Sequence, residues 1–123
     1  MTEKKLSTHE KGVLGEERAV LYLTEHGYSV VDRNFRTRSG EIDIIVQKDD
    51  FLVFVEVKSL SHGDIDTLSA ELGPRKQQKI IKTAKYYLQN HRQYNYQYIR
   101  FDVLALDVAG LEPVYHIINA FSE

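Results

Sequence analysis

The stretch GEIDIIVQKDDFLVFVEVK, residues 40–58, decides the fold of this chain. Two apolar runs, about 41–47 and 51–58, flank the polar tripeptide KDD, a pattern that predicts two β-strands joined by a tight turn. Charged residues nevertheless interrupt the apolar positions of both strands: Glu41, Asp43, Glu56 and Lys58. Because buried charges are costly unless something pairs with them, either a metal ion or a salt-bridge network accompanies these residues, or their positions are not buried.

The turn length decides whether these charges meet. Side chains two residues apart on a strand share a face, and any even-numbered loop brings the charged faces of the two strands together. A two-residue loop sets Asp43 directly across from Glu56, whereas a four-residue loop sets Glu41 there. Carboxylates at cross-strand distance repel one another, and a single lysine does not neutralise them. A divalent ion would, because carboxylate oxygens coordinate it well.

Lys58 extends this interpretation from a metal site to a reaction. An ammonium group beside a metal can orient or help deprotonate an attacking water, or stabilise charge on a phosphate, which suits phosphodiester hydrolysis. The alternative is that Glu56 and Lys58 form weak ion pairs on a solvated strand face. Residues 51–55, FLVFV, carry no polar position on either face and favour a strand buried on both sides, ending at a cleft.

The remaining periodicities predict an α/β fold with a mixed β-sheet flanked by helices. A helix is expected from Ser7 to His26, opened by a capping box with Glu10, and a second one after Pro74. Further strands are expected at 28–36, 96–108 and 114–118, and the polar residues around Gly63 indicate an exposed loop. The predicted order is therefore helix, three strands, helix and one or two strands.

Composition bounds the class of protein. The 123 residues, 42% of them hydrophobic, suit one domain, 1–123, with a core of about 12–121. The absence of cysteine excludes disulfides and thiolate metal sites, which leaves hard cations such as Mg²⁺. No apolar run suggests a membrane span or a signal peptide, so a cytoplasmic location is expected.

Charge gives a weaker indication of partners. The net charge of −2 and the pI of 6.2 are unlike those of many dedicated nucleic-acid-binding domains. Basic residues are concentrated from Leu72 to Phe101, a segment without any acidic residue. A solvated helix face would have the same composition.

In the first helix, Glu16 and Glu17 both lie near the apolar stripe, and helical geometry alone does not choose between them as a third acid of the site.

Several motifs together resemble a known family. They are GxxGE at 12–16, RNFR at 33–36, GEIDII at 40–45, LVFVEVK at 52–58, Lys76, AKYYL at 84–88, RFDVL at 100–104 and HIINAF at 116–121. In these motifs the chain is similar to the YraN family of bacterial proteins. Its hairpin resembles the catalytic motif of the restriction-endonuclease-like PD-(D/E)xK superfamily, which includes archaeal Holliday junction resolvases.

This resemblance implies a core of helix, three-stranded meander, helix and strand, and a magnesium-dependent or manganese-dependent endonuclease acting on DNA. It implies four catalytic residues: Glu16, Asp43, Glu56 and Lys58. Asp43 and Glu56 would hold the metal, Lys58 would be the catalytic lysine, and Glu41 is a further candidate acid. The sequence departs from the superfamily pattern at Ile42, where the proline that names the motif is absent, and at Ser59, since EVKSL lacks the arginine frequent after the lysine.

If nucleic acid is the substrate, phosphate contacts are expected from basic residues near the hairpin and on the second helix: Arg36, Arg38, Lys76 and Lys79. Enzymes that cut symmetric junctions need two active sites, so a homodimer would fit this function. Two other classes of function stay open. The chain could be a nucleic-acid-binding module that keeps a nuclease fold and cleaves poorly or not at all, or a structural or protein-interaction domain.

Overall fold

The structure, a computed structural model, describes residues 6–60 and 63–123. Its elements are α1 (Thr8–Glu25), β1 (Ser29–Thr37), β2 (Gly40–Lys48), β3 (Phe51–Ser59), α2 (Ile65–Glu71), α3 (Pro74–Gln89), a 3₁₀ turn (Arg92–Tyr94), β4 (Tyr98–Leu106) and β5 (Val114–Phe121). The strands form one sheet in sequence order, with β3 and β4 parallel and the other neighbours antiparallel. The predicted α/β fold with a mixed sheet is confirmed.

The central hairpin has the shorter of the two turns considered. The paired register runs from Lys48 and Phe51 to Ile44 and Val55, leaving Asp49 and Asp50 as the loop. Continued by one step, this register would set Asp43 across from Glu56, but the recorded pairing ends at Ile44 and Val55, and the Asp43 side chain accepts a hydrogen bond from the Val57 amide. The sequence pattern allows this arrangement without requiring it.

The sheet separates two apolar layers. On one face, residues of β2 and β3 pack against α3, a set that includes Ile45, Leu52, Phe54, Ile80, Ala84 and Tyr87. On the other face, the alternate residues pack against α1, a set that includes Ile44, Val46, Val53, Val55, Ala19 and Leu23. Strand alternation from Phe54 therefore directs Glu56 to the α3 face, towards the beginning of that helix.

The capping box of α1 is present as predicted. The Glu10 amide donates to Ser7 Oγ at 3.1 Å, and the Ser7 amide donates to Glu10 Oε1 at 3.3 Å. These bonds satisfy amides that have no partner inside the helix. Ser7→Ala is therefore expected to lower the free energy of unfolding by about 1 kcal/mol in urea denaturation. Ser122→Ala, which removes an exposed hydroxyl outside any helix, should leave it unchanged; equal effects would contradict the capping role.

The loop predicted around Gly63 is wrong in part, because a short helix, α2, forms at Ile65–Glu71. Asp64 caps it by accepting from the amides of Asp66 and Thr67, both at 3.1 Å. Its one buried residue, Leu68, packs against Ala105 and Val108. The expected loop also included Ser61 and His62, which lie outside the described residues.

The last two strands are also shifted from their predicted bounds. β4 begins at Tyr98, since the 3₁₀ turn and the turn residues 95–97 precede it, and β5 extends to Phe121. Side chains of β4 alternate between the two layers, with Leu104 in the layer against α1 and Phe101 and Val103 in the layer against α3. Within the described residues, no helix combines the length and the apolar character that crossing a membrane would need.

A buried polar cluster joins β4 to β5 on the α1 face. Asp102, with 0% of its side chain exposed, accepts from Arg100 Nε and Nη2, both at 2.8 Å. It also accepts from His116 Nε2 at 2.7 Å and from the Asn119 amide at 3.0 Å. Arg100 Nη2 in turn donates to Tyr28 Oη at 2.6 Å. The Asp102 carboxylate thus neutralises Arg100 and connects β4 with β5, and Arg100 links this cluster to Tyr28.

Candidate functional site

A cleft of about 620 Å³ opens where the β2–β3 pairing ends. Its walls come from the first half of α1, from β1, β2 and β3, and from the end of α2. Acidic and basic side chains line it together: Lys11, Glu16, Arg36, Glu41, Asp43, Lys58 and Glu71. Three of the four predicted catalytic residues, Glu16, Asp43 and Lys58, therefore line one cleft. Glu56 is not part of the lining but lies next to it, with its Oε1 3.9 Å from Lys58 Nζ.

Asp43 is held by the backbone of the neighbouring strand. The Val57 amide donates to Asp43 Oδ2 at 2.8 Å, which orients the carboxyl at the cleft wall. Burial raises the pKa of Asp43, and this hydrogen bond opposes the shift. The nearby charges of Glu41 and Glu16 raise the pKa further. The site thus concentrates negative charge in a partly desolvated position.

Glu56 is the most buried acid of the site, with 8% of its side chain exposed. Burial first, and the charge of Asp43 second, raise its pKa from 4.5 to about 7. Lys76 Nζ lies 3.8 Å from Glu56 Oε1 and partly offsets the shift. A carboxyl that titrates near neutrality beside a second carboxyl marks a candidate functional site, because ordinary packing does not require it.

Lys58 lies between two acids. Its Nζ is 3.9 Å from Glu56 Oε1 and 3.8 Å from Glu71 Oε2. The lysine is largely covered, with 21% of its side chain exposed. Together with Lys76, these residues form a row in which positive and negative groups alternate.

The structure separates the two glutamates of α1 that helical geometry left equivalent. Glu16 lines the cleft with 17% of its side chain exposed, whereas Glu17 is 57% exposed. Arg33 Nε and Asn34 Nδ2 donate to Glu16 Oε1 at 3.2 and 2.9 Å. Arg33 also donates to Glu17, so this arginine holds α1 acids and is not presented to a ligand.

The predicted phosphate contacts surround the cleft unequally. Arg36 lines it, but its Nε lies 3.0 Å from Glu41 Oε2, the acid of its cross-strand partner. Lys76 reaches Glu56 as described above. Arg38 and Lys79 are exposed and lie outside the cleft wall formed by the described residues. Of these four residues, Arg36 is therefore the one that lines the cleft.

Residues 15–106 match the Uncharacterised protein family UPF0102. The chain belongs to this family. A UPF0102 protein of Treponema pallidum strain Nichols is 46% identical over 95 residues, covering 77% of this chain and 75% of the relative. A UPF0102 protein of Psychromonas ingrahamii is 39% identical over 117 residues, covering 95% and 93%. Membership confirms the YraN-like resemblance of the sequence motifs.

Among solved structures, the chain is similar to the crystal structure of a repair endonuclease from Pyrococcus abyssi. The TM-score is 0.40 and the sequence identity 17%, and the match covers 89% of this chain but 42% of that endonuclease. The segment shared with UPF0102 contains the whole set of converging side chains: Glu16, Asp43, Glu56, Lys58 and Glu71.

The donor atoms of this UPF0102 site suit a hard cation. Asp43 and Glu56 supply carboxylate oxygens from adjacent strands. A positive charge between them would offset the negative charge of Asp43, which helps to raise the pKa of Glu56. Within residues 6–60 and 63–123, no group of three or more acid, histidine or cysteine side chains is placed to hold a metal. Two carboxylates with several waters are nevertheless a common environment for Mg²⁺.

Two residues of the site, Asn34 and Glu71, were not predicted from the sequence. Asn34 stands within the RNFR motif without a predicted role, and its bond to Glu16 depends on α1 packing beside β1. Glu71 was not predicted because no helix was assigned between the loop around Gly63 and Pro74, although the signals of α2 are visible in the sequence. Asp64 is a favourable cap, and the apolar residues Leu68 and Leu72 follow it at helical spacing.

Proposed function

We propose that this UPF0102 chain is a magnesium-dependent or manganese-dependent endonuclease that hydrolyses phosphodiester bonds of DNA, with branched, resolvase-type DNA as a candidate substrate. The observation that carries the proposal is the convergence of Asp43, buried Glu56 and Lys58 at one end of the hairpin. Glu16 completes the set from α1. Structural ion pairs do not by themselves require a second, mutually repelling carboxyl at such a position.

Asp43 and Glu56 would hold the metal ion. When bound there, the ion would supply positive charge that stabilises the developing charge on the phosphoryl group. Asp43 is oriented for this role by the Val57 amide. Glu56 is fixed by burial and by Lys76. A pre-oriented pair of this kind needs little reorganisation when the ligand arrives.

Lys58 would act on the reacting groups. Its ammonium reaches the cleft and can donate a hydrogen bond to a phosphate oxygen or orient the attacking water. Glu16, held by Arg33 and Asn34, can accept a hydrogen bond from that water. Arg36, Arg38, Lys76 and Lys79 would bind the backbone of the DNA, and Arg36 is the one of the four that lines the cleft.

A cleavage assay tests this function. The protein is incubated with four-way-junction, single-stranded and duplex DNA, in Mg²⁺, in Mn²⁺ and in EDTA. We expect cleavage that requires the metal and that Lys58→Met reduces by about 10²-fold or more, because a positioned donor is lost. Lys48→Met, which removes an exposed lysine at the far end of β2, should retain activity. Wild-type cleavage no greater than that of Lys58→Met would contradict the proposal.

A second function is favoured by one observation. The described residues place no third acid, histidine or cysteine for a shared metal, which suits a nucleic-acid-binding module that keeps the site but cleaves poorly. DNA binding that weakens with salt, without cleavage in either metal, would support this module. Failure to bind DNA at low salt would instead favour a protein-interaction domain.

A further inference from the structure

The two acids that flank Lys58, Glu56 and Glu71, differ in exposure. On the inner side, Glu56 is 8% exposed and is also paired with Lys76, so it is held in place. On the outer side, Glu71 is 44% exposed and lines the cleft. Of the two acids paired with Lys58, Glu71 is therefore the one that shares the cleft with an entering anion.

The attachment of Glu71 permits it to move. It is the last residue of α2, a seven-residue helix whose one buried side chain is Leu68. Its Oε2 lies 3.8 Å from Lys58 Nζ, a spacing typical of partly exposed ion pairs that contribute little to stability. A change of side-chain rotamer at Glu71 would release the lysine without disturbing Leu68, so moving the Glu71 side chain costs little free energy.

We propose that Glu71 occupies the position of the substrate phosphate, neutralising Lys58 from the cleft side until a phosphodiester displaces it. This inference rests on the proposed function and assigns a positioning residue that the family resemblance did not include. Glu71 keeps the lysine extended towards the cleft in the free protein. It also lowers the affinity for nucleic acid, because binding must separate the pair and place a phosphate near a second negative charge.

Fluorescence anisotropy with labelled DNA measures this effect without cleavage. The probes are fluorescein-labelled single-stranded and four-way-junction DNA at low salt, in EDTA and again in Ca²⁺. Glu71→Gln is expected to bind about three- to tenfold more tightly than wild type, since it keeps the shape and removes the competing charge. Glu25→Gln makes the same change of net charge at the exposed far end of α1, and should alter the affinity by less than about twofold.

A double-mutant cycle shows whether the effect passes through Lys58. In a Lys58→Met background, Glu71→Gln should lose most of its effect, because the pair no longer exists. Wild type that binds DNA, with Glu71→Gln binding equally or more weakly, would overturn the role of Glu71 and leave the proposed function standing. Wild type that binds neither probe would overturn both. An equal gain in the Lys58→Met background would also overturn the role, since it would show general electrostatics.

Discussion

Glu56→Gln is expected to stabilise the protein at pH 8 while abolishing cleavage. The pKa of Glu56 rises from 4.5 in the unfolded chain to about 7 in the fold, because of burial and then the charge of Asp43. Between these values the folded protein keeps a proton that the unfolded chain releases. The free energy of unfolding therefore falls as pH rises through this range, by roughly 3 kcal/mol in total. Glutamine carries no charge and avoids this loss.

Urea denaturation from pH 4 to 8 measures the effect of this substitution. Wild type should lose stability across the range, whereas Glu56→Gln should show a much smaller loss. Adding Mg²⁺ or Mn²⁺ at pH 8 should restore stability to wild type more than to the variant, since the proposed ligand is gone. Glu25→Gln, at an exposed position, should follow wild type throughout. A variant less stable than wild type at pH 8 would contradict the account of Glu56.

Asp102→Asn is expected to destabilise the fold by about 3–5 kcal/mol at pH 7, because it leaves a largely covered arginine without its counter-charge. Burial alone would raise the pKa of Asp102, but hydrogen bonds from His116 and Arg100 outweigh it and lower the pKa. Arg100 has 15% of its side chain exposed, so water cannot replace the lost carboxylate. Thermal and urea denaturation would both report the change.

A second two-bond arginine–aspartate pair, on the surface, supplies the control. Arg18 Nη1 and Nη2 donate to Asp107 at 2.8 and 3.2 Å, with 40% and 49% of the two side chains exposed. Asp107→Asn should cost no more than about 1 kcal/mol, since exposed pairs are screened by water. Asparagine also tolerates the positive φ of 56° at this position. Similar losses in the two variants would show that burial does not govern the Asp102 pair.

The hairpin and its cluster of charges were predictable because they depend on neighbours in the sequence. Strand alternation and an even turn bring Asp43, Glu56 and Lys58 together whichever even length is chosen, and only the register remained open. The choice between Glu16 and Glu17 was not predictable from helical geometry. It depends on how α1 packs beside β1, where Arg33 and Asn34 meet it.

The buried cluster around Asp102 lay beyond sequence reasoning for a related reason. Alternation along β4 places Arg100 and Asp102 on one face, but alternation alone does not show that this face is closed over them. His116 and Asn119 come from β5, and Tyr28 precedes β1, more than 70 residues before Arg100. Polar residues that satisfy one another across such separations have no local pattern.

The contiguity of β1, β2 and β3 also sets an order for refolding. Hairpins close within microseconds, whereas the parallel β3–β4 pairing must wait for the crossover that contains α2 and α3. Asp43 and Glu56 are therefore expected to meet before α3 delivers Lys76. The repulsion between these two carboxylates therefore acts when the hairpin closes. At that stage protons or divalent cations from solution can reduce the repulsion, whereas Lys76 is not yet in place.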